Sequence, residues 1–368
     1  MNKTKIKYRF LFAGGGTGGH LFPAVAVADK IKAIMPEAEI MFIGTKSKIE
    51  GKVVPKLGYK FKSIWIKGFS RKLTLENILF PLKVLVSVLQ SILINLKFKP
   101  AVAIGSGGYV SGPAILGASL TGAKIILLEQ NSYPGITTRV LERFADEIHI
   151  SFEDSKKYFK NKEKVKLTGN PVRESLSSVK KEEALKKFNL SGDKKTILLL
   201  GGSLGAKSLN ETIAESIKNL EENNVQLIWQ TGKNYFESFK NFASKNIIVL
   251  PFIDDMNFAY SACDVLIARA GATTIAELMV LGIPSILIPS PNVAENHQYY
   301  NAKSLADFNA AILIEDKNIK TELKEKLFST LFDESKLIEL KKNAKALAKN
   351  NAAETIAENA INYAKLYE

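Results

Sequence analysis

The sequence predicts an α/β protein built from two Rossmann-like, doubly wound domains, and three observations carry that prediction. Short apolar runs alternate with helical patterns along the chain, the signature of βαβ units around a parallel sheet. An apolar run enters a glycine-rich turn near residue 14 and again near residue 201, so two halves open with the same punctuation. At 368 residues the chain is too long for one ordinary core, and two domains are the natural division.

In the first half the apolar runs predict strands at 8–13, 39–44, 61–65, 101–105, 124–129 and 147–151, with a helix over 21–35 after the first. In the second half they predict strands at 196–200, 226–231, 247–250, 265–268, 285–289 and 311–314, with a helix over 208–220. Asn170-Pro171 and the serines and lysines that follow break the pattern before a charged helix over 180–188. The expected domains are therefore 1–173 and 174–350. A last helix over 351–366 puts Ala353, Ile356, Ala357, Ala360, Ile361 and Ala364 on a shared face. That face must pack somewhere, and a return to the first domain is one of its options.

Hydrophobic content of 46% suits a globular protein, and the single cysteine, Cys263, excludes an internal disulfide. The apolar run at 8–13 is too short and too soon interrupted by glycine for a signal-peptide core, so a cytoplasmic location is expected. Net charge is +14, which points to an anionic partner such as a phosphorylated substrate, a membrane surface or nucleic acid. Nucleic acid is the least supported of these, because no nucleic-acid-binding motif accompanies the lysines.

Residues 73–98 form the densest apolar stretch, yet only 13 uncharged residues separate Lys83 from Lys97. That is short of the roughly 20 that span a bilayer. A buried helix is expected for most of the apolar face. Lys67, Arg71, Lys72, Lys83, Lys97 and Lys99 surround it, and basic residues beside apolar ones also suit attachment to anionic lipid.

The first turn, Gly14-Gly-Gly-Thr-Gly-Gly-His20, leads into a helix whose first N–H groups lack partners, which is a place for a phosphate. Gly14, Gly16 and Gly19 also satisfy the dinucleotide fingerprint, so an NAD(P)-dependent oxidoreductase using 14–19 is the alternative function. The next strand weakens it by ending in Gly44-Thr45-Lys46 rather than in an acid for a ribose. A third junction, Gly105-Ser-Gly-Gly-Tyr-Val-Ser-Gly-Pro113, should line the same crevice, joined by Glu129-Gln-Asn131. Some of these glycines serve only close packing. In the second half, Gly271-Ala-Thr-Thr-Ile-Ala-Glu277 suits a diphosphate at its first turn and a ribose at Glu277; alternatively Thr273 caps the helix and Glu277 is solvated.

No Asp-x-Asp occurs in the chain, and Asp254-Asp255 reads as a helix N-cap rather than a metal site. No metal and no cofactor are expected. Diphosphate charge would then fall to helix N-termini, backbone N–H groups, Ser203 and Arg173.

Together with Gly169-Asn-Pro-Val-Arg173, Gly201-Gly-Ser-Leu-Gly-Ala206, Phe252-Ile-Asp-Asp-Met256 and Gln298-Tyr-Tyr-Asn-Ala302, these motifs resemble the MurG family of bacterial N-acetylglucosaminyltransferases over nearly the whole chain. The resemblance implies the GT-B fold, two Rossmann-like domains facing across a cleft. It implies UDP-N-acetylglucosamine as donor and undecaprenyl-diphosphate-linked muramyl-pentapeptide as acceptor, at the cytoplasmic face of the inner membrane. Proteins of the wall-synthesis machinery are further implied partners.

Carried over by motif, donor contacts would come from Thr17, Gly18, Gly19, Asn131, Arg173, Ser203, Ile253, Ala272, Thr273, Thr274, Ile275, Ala276, Glu277 and Gln298. Of these, Ile253 would use its backbone on the uracil. Acceptor contacts would come from Gly15, Gly16, Ser106, Gly107, Gly108 and Tyr109, and the apolar segment would meet the membrane. Glu295-Asn-His297 departs from the run associated with the family before Gln298. His20 is the candidate base for an inverting displacement; the other role open to it is to position the loop or the acceptor.

Overall fold

The computed structural model describes residues 8–68, 79–172, 179–202 and 204–366. Arg71, Lys72, Arg173 and Ser203 lie outside the described residues. The chain divides into two units, Met1–Arg173 with Lys349–Glu368, and Glu174–Ala348.

The first unit holds a parallel sheet of strands β1 (Arg9–Ala13), β2 (Glu39–Gly44), β3 (Lys60–Ser63), β4 (Val102–Gly105), β5 (Lys124–Glu129), β6 (Glu147–Ile150) and β7 (Val165–Leu167). Their order is β3-β2-β1-β4-β5-β6-β7, so the winding reverses between β1 and β4. The turns after these two strands are therefore neighbours, and in open α/β sheets that is where ligands sit. Strand β1 is buried on both faces, as parallel strands are: Phe10 and Phe12 enter one core cluster, Leu11 and Ala13 the other. Helices α1 (Gly18–Ile34), α2 (Ile49–Lys56), α3 (Phe80–Phe98), α4 (Ser111–Leu120) and α5 (Ile136–Leu141) complete the unit's own run of chain.

The second unit repeats the plan with β8 (Thr196–Leu200), β9 (Gln226–Gln230), β10 (Ile247–Leu250), β11 (Val265–Ala268), β12 (Ser285–Leu287) and β13 (Ile312–Leu313), ordered β10-β9-β8-β11-β12-β13. Its helices are α6 (Lys181–Lys187), α7 (Lys207–Glu222), α8 (Phe236–Phe239), α9 (Met256–Ala262), α10 (Ala272–Leu281), α11 (His297–Ala306), α12 (Ile319–Leu331) and α13 (Glu334–Leu347). The last helix, α14 (Ala352–Leu366), belongs to the first unit: Ile356, Ala357, Ala360, Ile361 and Ala364 share a core cluster with Phe10, Phe12, Val25, Ala28 and Ile31. Asn359 also donates to Glu147 Oε2 of β6 at 3.1 Å.

Helix α3 corrects one expectation. Its buried face is Lys83, Ser87, Ser91, Asn95 and Phe98, while Leu82, Leu85, Leu89, Leu93 and Leu96 are each at least 50% exposed. The cause is packing: Ser91 Oγ donates to Ala114 O at 3.0 Å, and a β-carbon on Gly117 of α4 would sit 2.6 Å from that hydroxyl. Small polar residues let α3 approach α4 closely, and the leucines are left on the far side. Lys83 does not stand in the basic rim but lies over the Trp65 ring at 5.7 Å. At 19 residues and a mean hydropathy of 1.4, α3 is long and apolar enough to cross a membrane, yet one of its faces is packed on α4.

Candidate active site

The β1 turn is assembled by contacts from the β4 turn. Ser106 N donates to Ala13 O at 2.9 Å and Ser106 Oγ donates to His20 O at 2.7 Å. The hydroxyl is thus engaged within the loop. Gly107, at φ +93°, must be glycine because a β-carbon would lie 2.8 Å from His20 Nδ1. Close packing is accordingly a real task of these glycines. The ring of Tyr109 covers Gly16, with 3.3 Å from its Cε1 to the β-carbon position.

His20 is in the first turn of α1, after Thr17 at the N-cap and Gly18 and Gly19. Thr17 makes no side-chain cap, and no acid of α1 itself occupies that first turn. The imidazole Nδ1 lies 3.0 Å from Ser106 O and 3.2 Å from Gln130 Oε1. A backbone carbonyl can only accept, so Nδ1 carries the proton and Nε2 carries the lone pair. Burial holds the His20 pKa below its ordinary value of 6.5, against opposing contributions from Gln130, Ser106 and Glu50. A neutral ring with a fixed tautomer is the form a general base needs near pH 7.

Glu129 ends β5 beneath this site. Its Oε1 accepts from Asn131 N and Nδ2 at 3.0 and 3.2 Å, and its Oε2 accepts from Gly135 N at 3.0 Å. Burial pushes the Glu129 carboxyl up, with these bonds opposing. Asn131 therefore has a fixed side chain. Glu50 was not singled out from the sequence, yet its carboxylate accepts the Gly16 N–H at 3.0 Å. The Gly16 amide, expected to serve the acceptor, is already engaged, while Gly15 packs against the Glu50 side chain.

In the second unit the turn after β8 is closed by glycine on glycine. Gly232, at φ +82°, lies so near Gly205 that a β-carbon there would overlap the Gly205 backbone. Gln230 ties this turn to the next: its Nε2 donates to Gly202 O at 3.2 Å and its Oε1 accepts from Ile253 N at 2.9 Å. The N–H of Ile253 is thus engaged within the protein, and the expected uracil contact narrows to its carbonyl.

Helix α10 starts at Gly271 without a side-chain cap and without an acid in its first turn, which contains Ala272, Thr273 and Thr274. Thr273 is no cap; its Oγ1 is buried without a hydrogen-bond partner. Ile275 and Ala276 are buried against the unit, whereas Glu277 is half-buried and accepts from Tyr260 Oη at 2.7 Å. A fixed carboxylate beyond an uncapped helix start can accept from hydroxyls while the first turn meets an anion. Gln298, in α11, accepts from Ser290 N at 2.9 Å through its Oε1, which leaves its amide NH2 as the donor a sugar would meet.

Asp255 stands at the N-cap of α9, but its carboxylate pairs with Lys187 rather than capping. Among the described residues, no group of three or more His, Cys, Asp and Glu side chains is placed to hold a metal. Tyr260, Gln230 and Gln130 support the site without having been given roles from sequence. Glu50 left one signal, its position on the face of α2 that also carries the buried Val54.

Residues 10–150 match the Glycosyltransferase family 28 N-terminal domain and residues 196–358 match the family's C-terminal domain. The chain is 46% identical over 358 residues to the UDP-N-acetylglucosamine–N-acetylmuramyl-(pentapeptide) pyrophosphoryl-undecaprenol N-acetylglucosamine transferase of Flavobacterium psychrophilum, covering 96% of this chain and 97% of that one. It is 42% identical over 356 residues to the protein of the same name from Thermoanaerobacter sp., covering 95% and 98%. The crystal structure of Acinetobacter baumannii MurG superposes with a TM-score of 0.77 at 30% identity, covering 97% of this chain and 100% of that one. These matches leave the dinucleotide reading of residues 14–19 without support. The chain belongs to glycosyltransferase family 28 and, within it, to the MurG family of N-acetylglucosamine transferases.

Proposed function

We propose that this protein transfers N-acetylglucosamine from UDP-N-acetylglucosamine to the C4 hydroxyl of undecaprenyl-diphosphate-linked N-acetylmuramyl-pentapeptide, with inversion. The observation that carries the mechanism is the His20 ring, neutral and anchored through Nδ1 to Ser106 O and Gln130 Oε1. The acceptor O4 attacks C1 of the donor sugar, its proton passes to His20 Nε2, and the bond from C1 to the UDP oxygen breaks. The α linkage becomes β in this single displacement, without a covalent intermediate.

In this reading the donor is held by the start of α10, from Ala272 to Glu277, with the ribose on Glu277, the uracil at the Ile253 carbonyl and the sugar on Gln298. Thr17, Gly18, Gly19, Asn131, Arg173 and Ser203 are retained as donor contacts from their motifs. Gly107, Gly108 and Tyr109 border the acceptor. The leaving diphosphate is stabilised by backbone N–H groups and helix starts, with no metal required.

We further propose that the protein attaches peripherally to the cytoplasmic face of the inner membrane through α3. Its leucine face, with Lys97 and Lys99 exposed beside it, combines buried apolar area with attraction to anionic lipid. The test of function is UDP release with a lipid-linked muramyl-peptide acceptor in the presence of chelator. Release dependent on both substrates is expected, and a strict need for added divalent ion would sink the metal-free mechanism.

A further inference from the structure

Glu50 is 1% exposed, and its carboxylate receives three donors: Gly16 N at 3.0 Å, Thr45 N at 3.0 Å and Thr45 Oγ1 at 2.5 Å. Two glycines make room for it. A β-carbon on Gly15, or on Gly44 at the end of β2, would overlap the Glu50 side chain. A buried carboxylate is costly unless its lone pairs are filled by donors, and here the β1 turn and the end of β2 supply them. The Gly14-x-Gly16-x-x-Gly19 spacing belongs to turns whose amides face a bound phosphate. In this protein a side chain of α2 meets one of those amides instead.

We propose that Glu50 is the resident anion of the first glycine loop, a positioning residue whose carboxylate takes the Gly16 N–H from any phosphate, presets the turn before substrate arrives, and so holds His20 in place. Its catalytic consequence rests on the reading of His20 as the base; its claim on the loop does not. The loop is then shaped by an internal charge and is closed to a dinucleotide at Gly16. His20 is faced by Ser106 and Gln130 from the ends of β4 and β5, by the glycines of the β4 turn, and by the charge of Glu50 from α2.

The test uses the full chain carrying Glu50→Gln or Glu50→Asp. Glutamine keeps the size but turns an NH2 toward an N–H donor and removes the charge. Amide hydrogen exchange at Gly16 and Thr45 should quicken by about tenfold or more in Glu50→Gln. The kcat should fall by roughly 10- to 100-fold with UDP-N-acetylglucosamine affinity within about twofold, and Glu50→Asp should recover part of it. The acid limb of the kcat/KM profile should move to lower pH, because a negative neighbour favours the protonated ring; a merely structural brace would lower the plateau without moving the limb.

If Glu50→Gln fails to unfold cooperatively, Thr45→Val removes one donor and should quicken Gly16 exchange in the same direction. Unchanged exchange at Gly16 in a folded variant overturns the proposal whatever His20 does. Quickened exchange together with near-normal turnover of His20→Ala leaves Glu50 as the anion of the loop and removes His20 as the base.

Discussion

The two units begin alike and are finished in opposite ways. Each has a glycine turn after its first strand at the point where the sheet reverses direction. In the first unit that turn is braced by a carboxylate, Glu50 on Gly16, and by Ser106 on His20. In the second it is braced by a neutral amide, Gln230 on Gly202 and Ile253, and the neighbouring α10 starts with neither cap nor acid. The same topology thus yields one turn already supplied with negative charge beside an anchored imidazole, and one helix start with neither cap nor acid. In the proposed function, chemistry falls to the first and donor binding to the second.

The sharpest way to break this contrast is at His20. His20→Ala should lower turnover by about 10²- to 10⁴-fold while leaving UDP-N-acetylglucosamine affinity within a few-fold, as read by steady-state kinetics and calorimetry. Near-normal turnover would reject the base. In the parent protein the pKa of His20 lies below 6.5, so activity should persist as pH falls through 6.5 and decline only at the lowered value. Stability runs the other way around the same group: below 6.5 the unfolded chain takes up the proton first, so the folded state loses stability as pH falls.

At Glu277 the contrast predicts a pure binding effect. Glu277→Gln should weaken UDP binding by roughly 10- to 100-fold, the range of a charged hydrogen bond, while Tyr260→Phe should cost a few-fold at most. An equal loss in both would mean that Tyr260 itself touches the nucleotide. Smaller still are the effects on α3, where the two faces should answer oppositely. Ser91→Leu should destabilise the fold by about 1–3 kcal/mol through overpacking against α4, whereas Leu89→Ser should leave stability within about 0.5 kcal/mol. The second change should instead weaken retention on anionic vesicles at low salt; unaltered retention by a variant with Leu85, Leu89 and Leu93 all replaced by serine would reject the membrane face.

Much of this architecture was legible because buried parallel strands are written as nearly continuous apolar runs, and β1, β5 and β8 read directly as such. Strand β7 was missed: Val165-Lys-Leu167 is three residues long with two of them exposed. The face of α3 was misread because hydrophobicity records what avoids water, not which side finds a partner. Gly117 and Ser91 decided that side by allowing close approach. Within the site, the glycine motifs and Glu277 were legible as local patterns. Glu50, Tyr260 and Gln230 were not, since each acts on a residue distant in sequence or on another element.

By itself the sequence determined two Rossmann-like units, the glycine turns that follow their first strands and the family to which the chain belongs, because strand periodicity and glycine spacing are local properties of the chain. Tertiary structure alone decided that Glu50 fills the amide offered by the first turn, that α14 returns to the first unit, and that α3 turns its leucines outward. Those outcomes depend on which surfaces meet, and contacts between residues far apart in the chain leave no periodic trace in it.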